Sequence, residues 1–181
     1  FNVVSPDLIV EKYGADTLRM YEMFLGPLEQ FKPWNTNGIS GVNNFLRKFW
    51  RLFHNDKGDL CVSEEKPSIE ELKILHKTIK KVQEDVEGFS FNTSVSTFMV
   101  CVNELTNQKC NKREILEPLV LLMCSYAPHI SEELWMLLGH KQGVSYQSFP
   151  IFKPSVLIES SHNYPVSFNG KMRFKEEYSL D

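Results

Sequence analysis

The chain has 181 residues, a formal net charge of −3 at pH 7 and 42% hydrophobic residues. These values are close to those of globular proteins, which excludes a disordered or fibrous chain. No apolar run approaches the ~20 residues of a membrane span, and no basic segment leads into an apolar core near the start. We therefore expect a cytoplasmic protein without a membrane partner. The first residue is Phe1 rather than Met, which we interpret as a fragment of a longer protein.

The cysteines and histidines show no metal-ligand spacing. No C-x-x-C pair occurs, and the five histidines form no ligand-spaced set with the thiols. Two disulfides are formally possible, but a chain rich in apolar residues and without an export signal favours reduced thiols in the core. The cysteines are Cys61, Cys101, Cys110 and Cys124. We expect neither a metal site nor a bound cofactor in this chain.

Two short helices are predicted at the start of the chain. Ser5 suits a helix N-cap and Pro6 suits the first helical position. Gly14 is a typical helix stop, so the first helix is expected to end there. A second helix is predicted from about residue 15 to residue 25, because a glycine–proline pair follows it.

A longer helix is predicted from about residue 39 to residue 54. Its apolar residues follow helical spacing and predict a wide buried stripe. They are Val42, Phe45, Leu46, Phe49, Trp50 and Phe53. The loop before this helix contains Trp34, which we interpret as a packing anchor. Stacking of Trp34 on an RNA base is the alternative.

The same helix carries a polar stripe, called here the basic stripe, formed by Asn44, Arg47, Lys48 and Arg51. Spacing of i, i+3, i+4 and i+7 projects all four side chains from one face. Residues 30–55 contain no acidic side chain. Local cations on a chain of net negative charge are compatible with selective RNA docking. The alternative interpretation is a solvated surface stripe.

The remaining pattern up to residue 139 is helical. A polar connection over residues 56–66 precedes a long helix that reaches about Glu87, and another helix follows Phe91. Because proline lacks the N–H of the helix ladder, Pro118 and Pro128 are expected to divide the last region. We expect a short turn, a helix through Tyr126 and a final helix ending at Gly139. The predicted fold class is all-α, an antiparallel helix bundle.

The last thirty residues change from helical to strand-like character. Residues 165–168 and 172–174 flank Asn169-Gly170, a strong signal for a two-residue hairpin turn. Lys171, Arg173 and Lys175 alternate along the second strand, so we expect them to face one side. We predict a helical connector over residues 1–37, the bundle over 38–153, and a linker with the first hairpin of a truncated domain over 154–181.

Four segments carry a resemblance to class I aminoacyl-tRNA synthetases. EPLVLLMCSYAPHISEELWMLLG, at residues 117–139, is similar to the closing helices of their anticodon-binding domains. NVVSPDLIVEKYGADTLRMY, at residues 2–21, resembles the segment after their KMSKS loop, with a "YGAD-LR" signature. Residues 23–53 and 164–175 resemble bacterial leucyl-tRNA synthetases in particular.

The resemblance implies a non-catalytic fragment of a larger ligase. That ligase activates leucine with ATP and Mg²⁺ and esterifies it to tRNA, but the HIGH and KMSKS motifs and the editing domain are absent from this chain. The implied partners are leucine tRNA and the catalytic, editing and C-terminal domains of the same enzyme. Because leucine tRNAs have long variable arms and varied anticodons, recognition of backbone and shape is expected instead of anticodon reading.

The resemblance also implies which residues bind tRNA. They are Arg47, Lys48, Arg51, Asn44 and Arg19, with Lys48 and Arg51 favoured. Family members often have a basic residue at the position of Asn44, which weakens that assignment. For Arg19 the alternative is an ion pair with Asp16 or Glu22 at helical spacing.

Two rival interpretations remain open at this point. A helical protein-interaction module would carry the basic stripe only for solubility. A complete enzyme would need a catalytic site within the chain, but no nucleophile–base set or phosphate-cradling glycine loop is visible. His129, next to Glu132 and Glu133, is interpreted as part of a helix start and not as a catalytic group.

Overall fold

The computed structural model describes residues 4–158, 161–168 and 171–179. Seven α-helices and one antiparallel hairpin occur in this part of the chain. The helices are α1 (Pro6–Tyr13), α2 (Ala15–Phe24), α3 (Ile39–Arg51), α4 (Ile69–Glu87), α5 (Phe91–Asn107), α6 (Arg113–Met123) and α7 (Pro128–Leu137). The strands are β1 (Ser161–Phe168) and β2 (Lys171–Ser179), and short 3-10 turns lie at Thr36–Gly38, Val144–Tyr146 and Pro154–Leu157. The predicted all-α fold class with a C-terminal hairpin is confirmed.

Local signals in the sequence determine where the helices begin and end. Helix α1 starts at Pro6, and Gly14 ends it with φ 86°, a left-handed conformation that costs glycine little. Helix α4 begins with a capping box. The Ser68 hydroxyl accepts from the Glu71 N–H at 3.1 Å, and the Glu71 carboxylate accepts from the Ser68 N–H at 2.7 Å.

Helix α3 forms the centre of the core. Val42, Phe45, Leu46 and Phe49 on its inner face are buried, and Phe53 just beyond its end is fully buried. The rings of Phe49 and Phe53 meet edge to face with centroids 5.4 Å apart. Trp34 packs edge-on against Tyr21 at 5.4 Å, and it is partly buried against the core. Trp34 therefore has the anchoring role expected of it.

The prediction of a helix break at Pro118 is wrong. Helix α6 runs without interruption from Arg113 through Pro118 to Met123. A proline inside a helix costs about 3 kcal/mol, because one backbone hydrogen bond is lost and the ring crowds the preceding turn. Six apolar side chains of α6 are buried, and each contributes about 1.5–3 kcal/mol, so burial outweighs the proline. Glu114, whose carbonyl loses its partner, is a surface residue.

Helix α2 holds the turn between α6 and α7 at two points. Arg19 donates from its guanidinium to the Ser125 carbonyl at 3.1 Å, within the turn. The Asp16 carboxylate accepts from the backbone N–H groups of His129 at 3.2 Å and Ile130 at 2.7 Å, just after it. Asp16 thereby replaces the side-chain cap that Ala127 cannot provide for α7. The ion pair of Arg19 with Asp16 or Glu22 does not form in the described part of the chain.

A β-bulge interrupts the regular pairing of the two hairpin strands. Phe168 pairs with Lys171 and Ser167 with Met172, but Val166 pairs with Phe174, so Arg173 is the extra residue. The bulge interrupts the strict alternation expected of Lys171 and Arg173, but the side chain of Lys175 lies outside the described residues, so a face shared by all three stays a prediction. The predicted Asn169-Gly170 turn lies outside the described residues.

His76 fastens the segment before the hairpin to α4. Its ring is 4% exposed, and its Nδ1 accepts a hydrogen bond from the Lys153 backbone N–H at 3.3 Å. The Phe152 ring packs against it with centroids 6.2 Å apart. Burial lowers the pKa of His76 below its ordinary value, and the nearby Lys153 ammonium lowers that pKa further. The fold thus favours the neutral ring.

Replacing Asp16 with Ala should reduce the free energy of unfolding by about 2 kcal/mol, because two backbone N–H groups lose their acceptor. Asp7→Ala, which removes an exposed carboxylate from the first turn of α1, is the matched control and should change it by less than about 0.5 kcal/mol. Urea unfolding measures both values. Equal losses in the two variants would contradict the cap.

Acidification should weaken the fold through His76. The unfolded chain takes up the proton near pH 6.5 and the folded chain only at lower pH, so stability is lost as pH falls below about 6.5. His76→Asn keeps an acceptor for the Lys153 N–H but does not titrate. The free energy of unfolding should therefore fall more steeply in the parent chain than in the variant between about pH 7.5 and about pH 5.5. Parallel profiles would refute the role of His76.

Candidate nucleic-acid interface

A surface cleft of about 540 Å³ lies where three elements meet. One wall is α3, the second is the junction of α1 and α2, and the third is the start of α7. The lining residues are Tyr13, Gly14, Ala15, Asp16, Thr17, Asn43, Leu46, Arg47, Trp50, Arg51, His129 and Ile130. This cleft, called here the arginine cleft, contains part of the predicted basic stripe.

Asn43 joins α3 to the α1–α2 junction at the arginine cleft. Its amide donates to the Tyr13 carbonyl and to the Thr17 hydroxyl, both at 3.1 Å. Asn43 was not among the site residues predicted from sequence, whereas its exposed neighbour Asn44 was. A signal was present, because Asn43 shares a helix face with the apolar residues Leu46 and Trp50. An amide in line with apolar residues indicates a buried polar contact.

Arg47 and Arg51 supply the positive charge of the arginine cleft. They lie one helical turn apart on α3, both are exposed, and both line the cleft. Neither forms an ion pair with any carboxylate in the described ranges. Trp50 lies between them in sequence and stacks on His54 with ring centroids 4.3 Å apart. Two unpaired guanidinium groups beside an aromatic ring form a surface suited to an anionic partner.

The other predicted site residues do not line the arginine cleft. The Lys48 ammonium donates to Asn103 of α5 at 2.6 Å, which directs Lys48 to another side of α3. Asn44 is exposed and is absent from the cleft lining. Arg19 is bound to the Ser125 carbonyl and lines separate clefts with Phe149. The structure therefore brings together two of the five predicted residues.

His129 lines the arginine cleft opposite α3. Its Nδ1 lies 2.7 Å from the Asp16 Oδ1, and its side chain is 73% exposed while that of Asp16 is 10% exposed. From sequence, His129 was predicted only to be part of a helix start. The available signal was Ala127, which has no polar side chain to cap α7 and so indicates an acceptor from elsewhere in the chain.

The remaining features of the described ranges concern metal ligands, membrane-spanning helices and thiols. No group of three metal-ligating side chains occurs there, and no helix there has the length and apolar character needed to cross a membrane. The four cysteines are free, but only Cys101 and Cys110 lie in the core, whereas Cys61 is exposed and Cys124 is half-buried, so the expectation of core thiols is wrong for these two. Burial raises the pKa of both Cys101 and Cys110 to about 12, which keeps them as unreactive thiols at neutral pH.

Comparison with known families decides the family of this helical bundle. A family model described as the anticodon-binding domain of tRNA ligase matches residues 71–181. The chain belongs to this anticodon-binding family. The match covers α4 through the hairpin, which includes the "APHISEELW" segment of α7. The anticodon-binding assignment made from the motifs is confirmed.

Similar proteins match this anticodon-binding chain over its full length. The leucine–tRNA ligase of Cytophaga hutchinsonii is 64% identical over 181 residues, which are 100% of this chain and 20% of that protein. The leucine–tRNA ligase of Christiangramia forsetii is 66% identical over 181 residues, again 100% of this chain and 19% of that protein. The chain thus spans about a fifth of the length of the curated relatives it matches.

A solved structure shares the fold of this anticodon-binding chain. It is the Agrobacterium radiobacter K84 agnB2 LeuRS in a ternary complex with tRNA and LeuAMS. The TM-score is 0.79 at 28% sequence identity, and the likeness covers 99% of this chain and 25% of that one. The likeness therefore extends over nearly all of the chain, including residues before the part that the family model matches.

Proposed function

We propose that this chain is the tRNA-docking domain of a leucine–tRNA ligase, and that the arginine cleft binds the tRNA backbone. The observation that carries the proposal is the pair of exposed guanidinium groups of Arg47 and Arg51 in one cleft, neither of which forms an ion pair with a described residue. Two relatives named leucine–tRNA ligase and a neighbour solved with tRNA support the choice of partner. A protein-interaction module without an RNA role is the alternative.

The proposed contacts follow from the chemistry of the side chains. A guanidinium group carries several N–H donors in a planar fork and binds phosphate oxygens with good geometry. Two such groups one helical turn apart can contact neighbouring phosphates of one RNA strand. Phosphate contacts fix the orientation of a nucleic acid without reading its bases. Recognition of backbone and shape, instead of the anticodon bases, is accordingly the proposed mode.

Lys48, Asn44 and Arg19 hold secondary places in the proposal. Lys48 contacts Asn103, so it lies on the side of α3 that faces α5. Lys48 and Asn44 can extend the proposed RNA contact along that side. Arg19 acts mainly through the Ser125 carbonyl, so its proposed effect on RNA is through the position of the α6–α7 turn. Arg51 therefore keeps the rank that it had from sequence alone, and Arg47 takes the place of Lys48 beside it.

The whole ligase would join leucine to its tRNA in the cytoplasm with ATP and Mg²⁺, which act in the catalytic domain. No residue of this chain is assigned to that chemistry. Its proposed contribution is to hold the tRNA body so that the acceptor end reaches the active site in a productive orientation. The catalytic, editing and C-terminal domains are the proposed intramolecular partners.

Titration of the chain with leucine tRNA at several salt concentrations tests the phosphate contacts. Two or three contacts should give a log–log slope of about −2 to −3, and Arg47→Ala or Arg51→Ala should each reduce its magnitude by about one. Lys77→Ala, an exposed cation on α4 outside the arginine cleft, is the matched control and should leave the slope unchanged. Absence of salt-dependent RNA binding at low salt would favour the protein-interaction module.

Exchange of tRNA parts tests the mode of recognition. In the complete ligase, replacing all three anticodon bases should change the affinity for leucine tRNA less than disrupting its long variable arm does. Backbone contacts carry no direct base information, so the anticodon exchange leaves them in place. An equal loss from both changes, measured by filter binding, would show that the anticodon is read.

A further inference from the structure

We infer that His129 is a further RNA-contacting residue of the arginine cleft, and that Asp16 is the residue that positions its ring. The inferred ligand is a ribose 2′-hydroxyl of the bound RNA. This inference rests on the proposed function, since it names a second kind of contact in the same cleft. His129 lies across the cleft from Arg47 and Arg51, so an RNA strand bound to α3 passes beside it.

The ring of His129 is oriented although it is largely exposed. Its Nδ1 lies 2.7 Å from the Asp16 Oδ1, and the same carboxylate accepts the backbone N–H groups of His129 and Ile130. Asp16 is buried and held by these bonds, so it offers His129 a fixed acceptor. An exposed side chain normally moves among rotamers. A buried carboxylate that restrains an exposed imidazole preorganises it for a partner in the cleft.

The hydrogen-bond chemistry determines what the other ring nitrogen can do. An ionised carboxylate only accepts, so the Nδ1 of His129 must carry the hydrogen that Asp16 receives. In the neutral ring the Nε2 is then an acceptor, and it has no partner in the described ranges. Guanidinium groups only donate, and they match phosphate oxygens. The Nε2 instead matches a donor, and the ribose 2′-hydroxyl is the backbone donor that distinguishes RNA from DNA.

The charges around the arginine cleft agree with this assignment. Among the described residues that line it, Arg47 and Arg51 are the cations and Asp16 is the one carboxylate. Asp16 already accepts three hydrogen bonds, so it presents little free acceptor capacity to the cleft. An RNA backbone can therefore place phosphates at α3 and a ribose at α7 without meeting an unsatisfied negative group.

The salt dependence of binding separates a ribose contact from a phosphate contact. His129→Ala should weaken binding of the chain to leucine tRNA about five-fold, because one hydrogen bond is lost, and should leave the salt slope unchanged. Arg51→Ala should reduce the magnitude of that slope by about one. His129→Gln, whose amide oxygen can stand in for the Nε2 acceptor, should recover most of the affinity. Thermal unfolding of each variant checks that the fold is kept.

The outcomes distinguish the two proposals. If Arg47→Ala and Arg51→Ala lower the slope but His129→Ala binds as the parent does, the inference about His129 is overturned and the tRNA-docking function stands. A reduced slope in His129→Ala would identify a phosphate contact and would also overturn the ribose assignment. If the parent chain shows no salt-dependent binding of leucine tRNA, both proposals fail.

The positioning role of Asp16 can be tested spectroscopically through the tautomer of His129, which a loss of stability alone does not change. Nitrogen NMR of the folded parent chain near pH 8 should show His129 with its hydrogen on Nδ1. Asp16→Asn places an amide, which can also donate, beside that nitrogen and should shift the ring towards the Nε2–H form. The variant should then lose affinity for leucine tRNA about as much as His129→Ala does. An unchanged tautomer in folded Asp16→Asn would refute the positioning role.

Discussion

A carboxylate supplied from another helix organises this domain. Helix α7 follows the Ala127-Pro128 pair and has no side-chain cap of its own, so its first N–H groups need an external acceptor. Asp16 provides it from a position more than a hundred residues earlier, and Arg19 holds the Ser125 carbonyl within the preceding turn. Because Asp16 and Arg19 lie on one face of α2, a single helix determines where α7 begins and in which direction it runs.

The same interaction creates the arginine cleft. The α1–α2 junction must lie close to the start of α7 for Asp16 to reach it, and Asn43 of α3 joins that junction from the other side. The three walls are thus connected by hydrogen bonds from partly or fully buried side chains, which confine them to a narrow set of geometries. The backbone of α3 on such a framework needs little reorganisation when a polyanion binds, so the loss of conformational freedom falls mainly on the exposed side chains of Arg47 and Arg51.

Several features followed from local sequence, and the exceptions have identifiable causes. The capping box of Ser68 and Glu71 and the glycine stop at Gly14 depend on residues close in the chain, so they were predictable. Pro118 was misjudged because the rule for proline is local, whereas the burial that outweighs it depends on neighbouring helices. The four residues of the basic stripe all lie on α3, but they do not share one environment. The division of the stripe between Arg47 and Arg51 at the cleft and Lys48 at α5 depended on which elements flank α3.

By itself, the sequence determined the helical periodicity, the helix bundle, the strand pairing near the C-terminus and, through its motifs, the anticodon-binding family. Those properties are encoded in residues a few positions apart or in contiguous segments. Only the tertiary structure decided that the "YGAD-LR" and "APHISEELW" segments bind one another, and that Arg47, Arg51 and His129 share a cleft. Contacts between distant residues depend on how helices pack, and one chain's local pattern is compatible with more than one such arrangement.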